Sequence, residues 1–209
     1  NAQVTISIVQ VIGGTVNCGP SFVFTVGVLI VQGGTVNFVV VVNVTWQYTV
    51  QAIVQQGGNI NVIGGGSNTA GPDLQVPACV QQTGGIFTVN GTMQAQCYNL
   101  TGTGVIDGLG SLTVLQSLYF SGGTMRGSGS TISNGTLLMS GANKVLSGRA
   151  LEINNAGYWS AGDVLCDSNG SITVTNQSTL TINSTASSLA LTLSSGRCNL
   201  VSHGKVVGS

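Results

Sequence analysis

Charge is what this chain has least of. It carries five acidic and five basic residues among 209 and no net charge, where a typical soluble domain is about a quarter charged. That scarcity excludes whole classes of function. No basic stripe exists to follow a phosphate backbone, so nucleic acid is not expected as a partner. No Lys/Arg cluster suggests an anionic membrane surface. Polysaccharide cleavage needs paired carboxylates, or a base beside Ca²⁺-binding acids. This chain offers only Asp73, Asp107, Glu152, Asp163 and Asp167. With zero net charge, nothing holds copies of the chain apart.

Long apolar runs are missing too. The longest, residues 22–31 and 38–50, are broken by Thr25 and Gly27 and by Asn43, Thr45 and Gln47. Neither reaches the ~18 uninterrupted apolar residues of a membrane span. No window shows a capped helical stripe with a 3.6-residue period. No CxxC or His–Cys pairing occurs, so neither a metal nor another cofactor is expected. No G-x-S-x-G elbow appears. His203 stands alone near the C-terminus and reads as a tail residue. There is no initiator Met and no signal-like segment; the chain opens on Asn1, as a trimmed, mature product would.

What is present is a repeat. Gly13-Gly14-Thr15-Val16-Asn17 returns as Gly33-Gly34-Thr35-Val36-Asn37, 20 residues on. Tyr119-Phe120-Ser121-Gly122-Gly123 returns as Tyr158-Trp159-Ser160-Ala161-Gly162, 39 residues on. Repeats of this length belong to solenoids. Short alternating runs lie between them, such as 4–9, 112–114, 171–174 and 179–182, each bounded by Gly, Asn or Ser. An antiparallel sandwich would give a hairpin repeat nearer ten residues. The spacing therefore favours an all-β, single-stranded parallel β-helix. One domain over 1–209, in about ten irregular coils near 20 residues each, would make a rod of roughly 50 Å at ~4.8 Å per coil. Residues 64–77, with Gly64-Gly65-Gly66, Pro72 and Pro77, read as a loop leaving the wall. The recurring Gly-Gly pairs read as corner markers, since no strand-to-helix context makes them phosphate cradles.

Five cysteines, Cys18, Cys79, Cys97, Cys166 and Cys198, leave at least one thiol free or bonded to another chain. Cys79 and Cys97 lie 18 residues apart, near one repeat. Equivalent positions in stacked coils are ~4.8 Å apart, within the range a disulfide tolerates, so these two are expected to pair. Seven Asn-x-Ser/Thr sequons begin at Asn43, Asn90, Asn99, Asn134, Asn169, Asn176 and Asn183. Chance gives roughly three or four in a chain of this composition. Their use would mean N-linked glycans and passage through a eukaryotic secretory pathway.

The remaining polar and aromatic residues have two readings each. Asp73 and Asp107 read as solvated turn acids. Asp163 and Asp167 are corner residues, or a Ca²⁺ site. Lys144, Arg149 and Glu152 form a surface ion-pair cluster, or grip an acidic sugar. Trp46 and Trp159 fill a wall or a subunit contact, or stack on sugars. Phe22, Phe24, Phe38, Trp46 and Tyr48 in the apolar N-terminal part are expected to make assembly contacts.

The segment 119–163 carries Tyr119-Phe120-Ser121-Gly122-Gly123, Gly127-Ser128-Gly129, Asn134-Gly135-Thr136-Leu137 and Lys144-Val145-Leu146-Ser147-Gly148-Arg149-Ala150-Leu151. It resembles the β-solenoid repeats of large secreted surface and fibre proteins, the filamentous-haemagglutinin-like adhesins. The resemblance implies a structural or adhesive solenoid and brings no catalytic residues. The expectation is thus a self-assembling, glycosylated, non-catalytic subunit of an extracellular filament or surface layer. Its partners would be other copies of itself. The alternatives are an adhesin module binding glycan or protein, and a polysaccharide lyase or epimerase.

Overall fold

A computed structural model describes residues 3–19, 23–39, 48–64, 73–141, 144–183, 191–195 and 199–208, with backbone only for 3–4, 23–24 and 191–195. The fold is an all-β parallel solenoid, 69% strand and without helix among the described residues. β-branched residues at alternate positions suit a pleated wall with one buried face. A Gly-, Asn- or Ser-rich corner follows each run and stops the strand.

Each early coil has one long strand and one short one. The long strands are Gln3–Val11, Val23–Val31, Tyr48–Gln55, Leu74–Gln82, Thr92–Leu100 and Ser111–Phe120. The short ones, beginning with Thr15–Cys18, Thr35–Val39 and Asn59–Ile63, stack into a separate nine-stranded sheet. Every pairing between coils is parallel; Thr15 lies over Thr35, and Thr35 over Asn59. Register irregularities at Val76/Cys79 and Val114/Ser117 bend the long strands. Further along, that bend becomes a break. Ser130–Ser133 and Thr136–Met139 are separated by Asn134-Gly135, and Ala150–Ile153 and Ala156–Trp159 by Asn154-Asn155. The wall thus changes from two sides to three.

The coils number about eight, of roughly 20 residues, and not ten. The excess chain goes into wider steps: Thr25 pairs with Thr49, Tyr48 with Leu74, and Ile172 with Leu200. Of the loop expected over 64–77, residues 65–72 lie outside the described residues, and Leu74 already opens a strand.

Inside, like stacks on like. One column of the second sheet runs Val16, Val36, Ile60, Phe87, Ile106, Met125, Leu146 and Cys166. From Val36 onward its members are buried, and burial of each large apolar side chain stabilises the fold by about 1.5–3 kcal/mol. Outside, amides form ladders. Asn61 Nδ2 donates to Asn37 Oδ1 at 2.8 Å, and Asn37 Nδ2 to Asn17 Oδ1 at 2.7 Å. The expected bridge is present: Cys79 and Cys97 pair in register and are disulfide-bonded, with Cα atoms 4.5 Å apart. Cys166 is also disulfide-bonded, and Cys18 is free and buried.

The second glycine of each Gly-Gly doublet turns the corner with positive φ, +75° at Gly14 and +73° at Gly34. A left-handed conformation costs an L-residue about 1–2 kcal/mol at either position. A Cβ at Gly34 would also lie 2.5 Å from Gly14 O, whereas one at Gly14 meets nothing within 4 Å. Gly34→Ala is therefore expected to lower the unfolding free energy by about 3 kcal/mol or more, and Gly14→Ala by about 1 kcal/mol. Urea melts of the two variants check the ordering.

Candidate functional site

An open groove of about 390 Å³ lies at the corner where the second sheet hands over to the first. It is lined by a glycine column, Gly91, Gly110 and Gly129, in which a Cβ at Gly110 or Gly129 would collide with the carbonyl of the glycine before it. Thr92, Ser111 and Ser130 bring one hydroxyl per coil, and Asn90 and Leu109 form a rim. Asp73 sits at one end. It is buried, and its Oδ2 accepts from Thr92 N at 2.7 Å and Thr92 Oγ1 at 3.2 Å. This corrects the expectation of a solvated turn acid: the carboxylate clasps the next coil. No second acid lines the groove.

Arg149 takes the place in the glycine column after Gly129: Ala150 N binds Gly129 O, and Ser171 N binds Arg149 O. Its side chain is fully buried. Nε donates to Thr131 Oγ1 at 2.8 Å, Nη2 to Ser130 O at 2.7 Å and Gly110 O at 3.2 Å, and Nη1 to Gly108 O at 3.2 Å. One guanidinium thus ties together carbonyls from successive coils, a task suited to its five fixed donors. Burial pulls it down to about 10, against the pull of Tyr98 and Asp107. Lys144 is likewise buried, and Nζ donates to Ala161 O at 2.9 Å and Ser140 O at 3.1 Å. The expected surface cluster of Lys144, Arg149 and Glu152 therefore does not exist. Strand parity puts both cations on the inner side with Leu146, Leu151 and Ile153, and leaves Glu152 half-buried on the outer side.

Two polar side chains inside the tube were invisible in the sequence. Gln82 Nε2 donates to Gly85 O and Val105 O, and its Oε1 accepts from Tyr98 OH at 2.7 Å. Gln55 makes the equivalent donations to Gly58 O and Ile86 O, but its Oε1 has no partner. The coil after Gln55 has Val80 where the coil after Gln82 has Tyr98.

Asp107 pairs with Arg126 in the next coil, Nε to Oδ2 at 2.7 Å. Among the described residues, no group of three His, Cys, Asp or Glu could hold a metal. His203 lies exposed at the corner between the last two strands, and its N–H donates to Val174 O. Asn90, Asn134, Asn169, Asn176 and Asn183 are exposed at corners or strand ends; Asn99 is half-buried in mid-strand, and Asn43 lies outside the described residues. Asn90 and Asn134 use Oδ1 to accept from Leu109 N and Asn154 Nδ2. Those bonds do not involve Nδ2, the atom to which a glycan is joined.

The assembly contacts need correction. Phe38 and Tyr48 are 1% and 2% exposed. Their rings pack against each other at 5.4 Å, and Tyr48 OH lies 2.9 Å from the carbonyl oxygens of Cys18, Gly19 and Val39, any one of which can accept its single proton. Phe22 and Trp46 lie outside the described residues, as does the side chain of Phe24, whose backbone pairs with Val4. Trp159 packs in the wall, with Nε1 donating to Gly162 O at 2.7 Å. The large apolar groups that do face outward include Ile8, Ile12 and Leu109, each more than 60% exposed. No helix among the described residues is long and apolar enough to cross a membrane. No family model, curated protein or solved structure matches this chain.

Removing the guanidinium strands several buried carbonyls. Arg149→Met is expected to lower the unfolding free energy by about 2–4 kcal/mol. Glu152→Gln, on the outer face of the same strand, should change it by less than about 0.5 kcal/mol. Equilibrium denaturation measures both.

Burial lowers Lys144 from 10.5 to about 8, partly opposed by Asp163. Between those values the folded chain binds fewer protons than the unfolded one, so this residue's contribution to stability rises with pH and is flat below the window. Cys18 and Tyr48, pushed up by burial to about 11 and about 12, act in the opposite sense above their ordinary values. The difference in unfolding free energy between the unsubstituted chain and Lys144→Met isolates the lysine. From about pH 7 to about pH 10 it should shift in favour of the unsubstituted chain. A flat difference would contradict the buried-cation account.

Proposed function

We propose that this chain is a non-catalytic structural β-solenoid, which builds an extracellular filament or surface layer by self-association and carries N-linked glycans at its corners. The observation that carries this reading is where five of the nine described charged residues sit. Arg149 and Lys144 are buried against carbonyls, Asp73 against Thr92, and Asp107 is paired with Arg126. The outer faces are left mostly with amides, hydroxyls and apolar groups, which do little to keep copies apart.

Three further features support it. The groove contains one carboxylate, already engaged, where glycan cleavage needs two in defined separation. The Cys79–Cys97 disulfide suits an oxidising compartment. Five sequon asparagines stand exposed at corners or strand ends, clear of the packed walls. The repeat pattern at 119–163, similar to adhesin and fibre repeats, agrees with a structural role. Self-association would use Ile8, Ile12 and Leu109 in place of the buried Phe38 and Tyr48.

Negative-stain microscopy and sedimentation of native material test the assembly. Fibres or arrays are expected, and well-dispersed monomers under all native conditions would overturn it. Glycopeptide mapping should find glycans on Asn90, Asn134, Asn169, Asn176 and Asn183, with Asn99 least occupied. Unmodified sequons throughout would remove the glycan part of the reading.

A further inference from the structure

The recurring aromatic doublet is divided by strand parity. Phe120 and Trp159 point inward and are buried, whereas Tyr119 and Tyr158 point outward and are 39% and 47% exposed. They stand in one column, because Tyr119 pairs with Leu138 and Leu138 with Tyr158. Two rungs of ~4.8 Å put their Cα atoms about 10 Å apart on one face of a parallel sheet. Half-buried Leu138 lies between them. Asn99 and Thr181 continue the column on either side. Ser117, Thr136 and Ala156 stand two residues earlier on the same three strands, also facing outward. None of these residues is an Asp, Glu, Lys, Arg or His.

We propose that Tyr119 and Tyr158 form a binding platform for an extended, uncharged β-1,4-linked glycan running along the stacking axis. In such a chain successive pyranose rings alternate in orientation, so every second ring presents the same face. Those like faces recur once per disaccharide, close to the two-rung spacing of the tyrosines. The C–H face of a sugar ring is apolar and packs on an aromatic ring, while the tyrosine hydroxyl stays available to the sugar's own hydroxyls. The ring between, turned the other way, lies over Leu138. Asn99, Ser117 and Thr136 supply neutral donors and acceptors at the edges. The strands Ser111–Phe120, Thr136–Met139 and Ala156–Trp159 carry no charged residue, and the exposed Lys205 stands two strands beyond Ala156, past Thr179, so an acidic or basic ligand gains little over the tyrosines. A protein partner needs about 800 Å² from each side, far more than two rings and a leucine provide. Trp159, the aromatic that the sequence offered for sugar stacking, is in the wall.

The platform does not depend on the filament reading: either can fail while the other stands. Calorimetry with cellohexaose and chitohexaose, and retention on the insoluble polymers, test it directly. All proteins carry Thr101→Ala, which removes the sequon at Asn99 and keeps the Asn99 side chain, so that no attached glycan covers Tyr119. The full chain with both tyrosines should bind at least one of the two oligosaccharides. Tyr119→Ala and Tyr158→Ala should each weaken binding roughly tenfold, about 1.4 kcal/mol per ring. The double variant should lose binding, and Phe at both positions should retain most of it. Circular dichroism and thermal melts confirm that these exposed substitutions leave the fold intact. No binding to either glycan, or binding unchanged in the double alanine variant, would overturn the proposal.

Discussion

The structure rests on the in-register parallel ladder between coils. Each residue lies ~4.8 Å from its equivalents in the coils before and after, so the chain is read in columns. A column tolerates stacked apolar groups, hydroxyls and amides, and Asn17, Asn37 and Asn61 turn their proximity into a hydrogen-bonded ladder. It does not tolerate like charges, which repel by about 1 kcal/mol even in water at this separation and by more beside a protein surface. Asp107 followed by Arg126 is the arrangement a charged column permits. The scarcity of charge is therefore first a requirement of the stack. Its bearing on assembly comes second, through the neutral faces that result.

The same register governs the interior. Where a column stays apolar, packing alone suffices. Where it changes, polar atoms must be satisfied across coils. Gln82 succeeds because the next coil brings Tyr98; Gln55 keeps an unpartnered oxygen because the next coil brings Val80. Arg149 breaks the glycine column of the corner, and its guanidinium is accepted only because backbone carbonyls of several coils converge on it. Burial then moves its proton equilibrium down, as it does for Lys144.

Much of this was legible in the sequence, because the period is a one-dimensional signal. The repeat pointed to the solenoid, the 18-residue spacing to the Cys79–Cys97 bridge, and the Gly-Gly returns to the corners. The coil count came out high because wide steps between rungs look no different from regular ones in composition. The interior cations were missed for another reason. Lys144 shares parity with Leu146, and Arg149 with Leu151 and Ile153, but the rule that cations face water outweighed parity. Phe38 and Tyr48 belong to an apolar stretch, but their alternation with Asn37 and Thr49 points them inward. Asp73 was out of reach, since its partner Thr92 lies a full coil further on. The same parity that hides Trp159 exposes Tyr119 and Tyr158.

Engineered disulfides test the register itself. Gln94 and Thr113 are outward neighbours in adjacent coils, at a separation a disulfide spans. Gln94→Cys with Thr113→Cys should form an intramolecular bridge under mild oxidation, seen by mass spectrometry of unreduced peptides. Gln94→Cys with Leu115→Cys, shifted two residues along the strand, should leave both thiols free. A bridge in the shifted pair, or none in the aligned one, would contradict the in-register stack.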